Sequence, residues 1–151
     1  MKKFEVQYKY NTATENAIFT HLKTCNHNFI PRLDSYTNIK EYAKKIYEKS
    51  VLIEAWQDKT LIGCIAVYFS DLEDKVAYIT NVSIIKEFTR AGIATSLLKL
   101  CINYAKSKNF QIILLEVYKN NVAAIRLYEK FQFRNIKNKK KNTLILSYKI
   151  T

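Results

Sequence analysis

The chain has 151 residues, one domain's worth, and sets 25 lysines and arginines against 13 acidic residues for a formal charge of +12. A hydrophobic share of 48% with 13% aromatic residues suffices for a packed core and excludes a disordered chain. No run reaches the roughly 18 apolar residues of a membrane span, and the opening MKKFEVQYKY lacks the apolar stretch of a secretory leader, so a cytoplasmic protein with no membrane partner is expected. Cys25, Cys64 and Cys101 form an odd set without CxxC spacing, and His21 and His27 are the two histidines. Neither a disulfide framework nor a metal centre is expected, and the thiols read as small hydrophobes.

The sequence holds no internal repeat and no Gly/Ser/Pro-rich linker, so one domain over 1–151 is expected. A first strand is predicted at Phe4–Tyr8, followed by helices at 14–25 and 38–49. In the second helix Ile39, Tyr42, Ala43, Ile46 and Tyr47 repeat at helical spacing on one face. VLIEAWQ and LIGCIAVYF are strands on either side of the turn-like Asp58-Lys59-Thr60. AYITNVSII is β-branched and nearly apolar throughout, as a strand covered on both faces should be. A helix runs from Gly92 to Lys108 with an inward stripe of Ile93, Leu97, Leu100, Cys101 and Tyr104. Strand QIILLEV, a helix from Asn121 to about Phe131, and strands at Phe133–Ile136 and Thr143–Ile150 complete the order β-α-α-β-β-β-α-β-α-β-β. That order implies an α/β (α+β mixed) fold, a mixed sheet with helices on both faces.

Glycine is scarce: the sequence has two, Gly63 and Gly92, where average usage would give about ten. Gly92 stands where the apolar strand ending at Ile85 passes through a short polar loop into a helix. A helix start offers unpaired N–H groups and the positive end of its dipole, which suits a diphosphate. Arg90, Thr95 and Ser96 add charge and hydroxyls, and Ala94 keeps the first turn small. By itself this is equally an ordinary strand-to-helix turn.

A second segment, LEVYKNNVAAIRLYEKFQF at 115–133, makes the pattern specific. Together the two resemble the GCN5-related N-acetyltransferase (GNAT) superfamily. Thr89-Arg90-Ala91-Gly92-Ile93-Ala94 matches its Q/R-x-x-G-x-G/A signature except at the first position. Asn121, Ala124, Leu127, Tyr128, Glu129, Lys130 and Phe133 match its later N-x-x-A-x-x-L-Y-E-K-x-G-F signature, with Gln132 in place of glycine. Thr89 loses one side-chain contact to phosphate, for which Arg90 or the Thr89 hydroxyl is the substitute. Gln132 must either leave the left-handed backbone region or carry strain, and a local change in that turn is expected.

The resemblance implies a twisted, mostly antiparallel mixed sheet of about seven strands, flanked by about four helices and splayed between strands 4 and 5. It implies acetyl-CoA as co-substrate and no metal. The pantetheine arm would pair with the main chain of Val82 and Ile84, as an added strand would. The pyrophosphate would rest on Thr89, Arg90, Ala91, Gly92, Ile93, Ala94 and Thr95, and Asn121 would touch the cofactor arm. Tyr128 would act as general acid toward the departing thiolate. Some members carry a glutamate base on the fourth strand; here Tyr78 holds that position, which leaves Glu54 and Glu116 on neighbouring strands, or water relayed past Tyr78 or Thr80, to take the proton. Members build the acceptor site from the first two helices and their loop, here 14–49, with His21, His27, Phe29, Pro31, Arg32, Asp34 and Tyr36.

The expected acceptor is a small primary amine of lower pKa than lysine, such as an amino sugar or sugar nucleotide. The alternatives are a protein or peptide amine, terminal or lysine, and a non-catalytic acyl-CoA-binding module. The basic run RNIKNKKKN, 134–142, reads as a hairpin tip; no aromatic residues interleave with it, so nucleic acid is not an expected partner. A homodimer stays open.

Overall fold

A computed structural model describes residues 5–136 and 140–151. The elements are β1 (Gln7–Tyr10), α1 (Glu15–Cys25), α2 (Ile39–Lys49), β2 (Val51–Gln57), β3 (Thr60–Asp71), β4 (Val76–Ile84), α3 (Ile93–Ser107), β5 (Ile112–Tyr118), α4 (Val122–Lys130), β6 (Arg134–Ile136) and β7 (Thr143–Lys149). They occur in the expected order and build one seven-stranded sheet, β1-β2-β3-β4-β5-β7-β6. All its ladders are antiparallel except β4–β5.

Two positions differ from the sequence expectations. The first strand runs to Tyr10 because Tyr10 pairs with Ile53 and Asn11 is tied to Leu52, through Asn11 N–H to the Leu52 carbonyl (2.9 Å) and Leu52 N–H to Asn11 Oδ1 (2.7 Å). Tyr47, assigned to the inner face of α2, is 53% exposed, and Ala43 and Ile46 carry the burial there. Helices α1 and α2 cover one face of the sheet over Ile18, Leu22, Ala43, Ile46, Leu52, Cys64 and Ala66. On the other face α3 and α4 pack onto Ile53, Ile65, Val67, Ala77, Ile79 and Ile113. The alternation of partners along β3 is the period-two pattern of a strand buried on both sides.

The β4 strand departs from regularity twice, and both departures open the middle of the sheet. Its ladder with β3 pairs Ala66 with Asn81 but Val67 with Ile79, so Thr80 is an inserted residue that bends the strand. Its parallel ladder with β5 ends at Ile79–Leu115. Beyond that pair the two strands diverge, and the expected splay is present.

Gly63 on β3 lies under the start of α3. A Cβ there would come 2.7 Å from Ile84 Cδ1 and 3.2 Å from Ile93 Cγ2, so its absence lets α3 and the end of β4 close onto the sheet. At the far end of α4 the chain leaves the helix through Gln132 at φ +76°. Phe133 N–H bonds to the Tyr128 carbonyl (3.0 Å) and Gln132 N–H to that of Glu129 (2.9 Å), while the Tyr128 and Phe133 rings sit 5.8 Å apart. This is a Schellman motif, which normally has glycine at the left-handed position. The turn therefore keeps its left-handed form and glutamine carries the strain. Left-handed strain of about 1–2 kcal/mol, less the chain entropy that glycine adds, leads us to expect Gln132→Gly to raise stability by about 0.5–1 kcal/mol, read from urea unfolding.

Candidate active site

Two cavities flank the splay. The first, of about 250 Å³, is lined by Val82, Ser83 and Ile84 of β4, Ala123, Ala124 and Leu127 around α4, Thr89, Ala94, and Cys25, Asn28 and Phe29 at the end of α1. The second, of about 330 Å³, is lined by Tyr36, Thr37, Tyr42, Tyr78, Thr80, Glu116, Tyr118 and Lys140. Thr80 belongs to one and Val82 to the other, so they lie two residues apart along β4.

The mouth of the first cavity adjoins the start of α3. Gly92 holds φ +76°, a left-handed conformation that turns the chain into the helix, and a Cβ there would meet nothing within 4 Å. Here glycine serves backbone conformation, while Gly63 serves close packing. Thr14, Asn38 and Asn121 cap α1, α2 and α4 with their side chains, but α3 has no side-chain cap. Its first intrahelical bond runs from Ser96 N–H to the Gly92 carbonyl (3.1 Å), so the amides of Ile93, Ala94 and Thr95 precede the hydrogen-bonded ladder. Arg90, Ala91 and Gly92 are exposed beside them. Within the expected set, the Ala91 amide is taken by the Phe88 carbonyl (3.2 Å). The Thr89 hydroxyl donates to the Lys86 carbonyl (2.9 Å), so of the two expected substitutes it is already engaged within the loop.

Tyr128 is 6% exposed, packs in the core beneath α4 and is not among the residues lining either cavity. Burial, with the Cys101 thiol as neighbour, pushes its phenol above the usual range, so the hydroxyl keeps its proton throughout neutral and mildly alkaline pH. Asn121 Oδ1 accepts from Ala124 N–H (3.4 Å), capping α4.

The two glutamates singled out as bases are far apart in role. Glu54 on β2 is fully buried, and its carboxylate accepts from Thr12 N–H (2.9 Å), Ala13 N–H (2.9 Å), Trp56 Nε1–H (2.9 Å) and the Thr12 hydroxyl. It ties the β1–α1 connection to the sheet and lines neither cavity at the splay. Glu116 does line the second cavity. The Thr143 hydroxyl donates to it (2.7 Å) and Lys140 Nζ lies 3.0 Å away, which together hold its carboxyl below the usual carboxylate range.

Of the α1–α2 residues expected at an acceptor site, Tyr36 lines the second cavity and Phe29 the first. Arg32 and Asp34 pair with each other at 2.8 Å, and His27 is exposed. His21 is 2% exposed under the sheet, with Nδ1 2.8 Å from the Leu61 carbonyl and Nε2 2.9 Å from Ser83 Oγ. The carbonyl requires a proton on Nδ1. Ser83 Oγ in turn is 2.8 Å from Asn81 Oδ1, so this buried chain fixes α1 to the wall of the first cavity. Burial lowers the His21 pKa from 6.5 to about 4. Its neutral form is the one the fold holds, so its contribution is complete above the unfolded value of 6.5 and is lost as pH falls toward 4. We expect wild type to lose about 3 kcal/mol more stability between pH 7 and 4 than His21→Gln, measured by urea unfolding across pH. Equal losses would refute the assignment.

Tyr78 and Thr80, named for a water relay, both line the second cavity, while sequence reasoning missed Tyr42, Tyr118 and Lys140 there. The alternation of β5 side chains was a usable signal for Tyr118. Nothing local marked Tyr42, whose hydroxyl bonds to the Thr80 carbonyl (2.7 Å) from 38 residues away. Cys25, Cys64 and Cys101 are all buried and free, as small hydrophobes should be, and burial pushes each thiol up to about 12. Part of the basic run at 134–142 lies outside the described residues; Arg134–Ile136 forms β6 and Lys140 reaches Glu116. No helix among the described residues is long and apolar enough to cross a membrane.

A split sheet beside an uncapped helix start is the arrangement that the sequence resemblance implied, and comparison with known proteins shows the family. The acetyltransferase (GNAT) family profile matches residues 16–133, and the chain belongs to that family of acetyltransferases. An N-alpha-acetyltransferase of Saccharolobus solfataricus is 38% identical over 61 residues, which are 40% of this chain and 36% of that protein. The match thus spans about a third of the relative's length. Among solved structures, the ribosomal-protein-S18-alanine N-acetyltransferase of Escherichia coli aligns with a TM-score of 0.74 at 18% identity, covering 97% of this chain and 95% of that one. The PaiA N-acetyltransferase of Thermoplasma acidophilum, in complex with coenzyme A, aligns with a TM-score of 0.73 at 16% identity, covering 96% and 99%. At these identities the two structures speak for the fold.

Proposed function

We propose that the chain transfers acetyl from acetyl-CoA to a primary amine of low pKa, an α-amine or an amino sugar. The observation that carries this is the exposed, uncapped start of α3 opening onto a cavity walled by the splayed end of β4. The pyrophosphate takes the amides of Gly92 to Thr95, with Arg90 beside it, and the pantetheine arm lies along Val82 and Ile84. Asn121 holds its helix with Oδ1 and turns its amide NH₂ to the arm. Acetyl-CoA supplies an activated thioester. Attack by the neutral amine at the acetyl carbon expels the thiolate, Tyr128, kept protonated by burial, donates a hydrogen bond and then a proton to the sulfur, and the proton released by the amine returns through water to the phenol.

The second cavity receives the acceptor. Glu116 is the carboxylate that lines it, and a carboxylate held below its ordinary range is a poor base but a good counter-ion for an ammonium. The amine then gives its proton to water, which suits an α-amine at about 7.7–8.0 better than a lysine at about 10.4. The likeness to an N-alpha-acetyltransferase favours a peptide α-amine over a sugar.

Calorimetry with coenzyme A and thiol release from acetyl-CoA with peptides, amino sugars and a lysine side chain test this together. Heat on coenzyme A addition is expected, with thiol release for α-amines that levels off near pH 8. No heat, or a rate still climbing steeply beyond pH 9, would refute it.

A further inference from the structure

The second cavity carries a charge arrangement that nothing in the transfer chemistry requires. Its described walls are four tyrosines, two threonines and two charged residues, Glu116 and Lys140. Glu116 is fixed: the Thr143 hydroxyl donates to it at 2.7 Å, and Thr143 is itself 6% exposed. Lys140 is different, a long side chain 65% exposed that reaches the same carboxylate at 3.0 Å. An incoming ammonium therefore competes with Lys140 for Glu116, and Lys140 is the longer and more exposed of the two side chains.

The outcome of that competition depends on the rest of the acceptor. A second cation on it would face Lys140 within a chain of formal charge +12. A neutral acceptor would break the ion pair and offer Lys140 nothing in return. An anionic group beside the amine would meet the displaced Lys140 ammonium and turn one internal pair into two pairs with the substrate. The cavity also offers phenol hydroxyls to such an anion. Tyr36 and Tyr78 line it and are 57% and 37% exposed.

We propose that this cavity selects an acceptor whose α-amine and an anionic side chain belong to the same residue, with Glu116 holding the ammonium and Lys140 the side-chain anion. This rests on the reading of the cavity as the acceptor site. An acidic first residue of a peptide and a free acidic amino acid share this chemistry.

The test measures kcat/KM by thiol release for peptides differing in the first residue, Glu, Gln or Lys, with blocked C-termini, and for free glutamate and glutamine. Glu-first peptides should exceed Gln-first peptides by about two- to five-fold and Lys-first peptides by more, the size of one partly exposed charge pair. Lys140→Gln should bring the Glu/Gln ratio near unity and Lys140→Glu should favour the Lys-first peptide, both with unchanged melting temperatures. A preference confined to free glutamate would assign the small zwitterion as acceptor, and one confined to peptides the acidic terminus. Turnover without discrimination, or a Glu preference that survives Lys140→Glu, overturns this assignment while the acetyltransfer reading stands. Failure of every amine to release thiol overturns both.

Discussion

Replacing Glu54 by alanine should lower stability by about 3–5 kcal/mol, the largest loss we expect from any single polar substitution in this chain. The carboxylate has no exposure and serves two backbone amides, an indole N–H and a hydroxyl. Removing it leaves Thr12 N–H, Ala13 N–H and Trp56 Nε1–H without their acceptor in a buried site, and each such orphan costs about 1–3 kcal/mol. For a domain of this size the melting temperature should fall by roughly 10–15 °C. Glu54→Gln should fall between, because the amide keeps one accepting oxygen but turns an NH₂ toward donors. Turnover per folded molecule at low temperature should change little in either variant. A Glu54→Gln protein that melts like wild type but has lost its turnover would make Glu54 the base after all.

Tyr128→Phe should give the opposite signature. The ring packs against Phe133 across the Schellman turn, and phenylalanine keeps that packing, so stability and coenzyme A affinity should stay close to wild type. The acetyl-transfer step loses its proton donor, and kcat should drop by about 100-fold. Because burial holds the phenol above its usual range, wild-type kcat should show no alkaline decline through pH 10 from this group. Single-turnover thiol release with saturating acetyl-CoA, beside calorimetric titration of coenzyme A, separates the two effects. A variant with full kcat would return Tyr128 to a purely packing role.

The parts of the site that were legible in the sequence are those whose reason for existing is local. Gly92 is required at a left-handed helix start, and its place after an apolar strand was visible as such. Asn121 caps the helix it begins, whereas the local change expected at Gln132 is absent, because the hydrogen bonds around it hold the left-handed turn. The strand and helix order came from periodicities of two and 3.6, which depend on neighbours within one element. The edge strand β1 was the least well bounded, since all four of its residues are exposed and carry no alternation to read.

The two glutamates mark the boundary of that legibility. Both lie on strands next to apolar residues, and nothing within several positions of either tells them apart. Sheet register then joins Glu54 to Thr12 and Ala13 across 42 and 41 residues, and Glu116 to Thr143 across 27. One becomes a buried clamp and the other a cavity wall. The sequence alone determined the family, the elements and the glycine-led start of α3, because hydrophobic period, helix capping and glycine's backbone freedom act over a few residues. Tertiary structure alone decided which polar groups meet, because a buried charge takes its role from donors that strand pairing brings from distant parts of the chain.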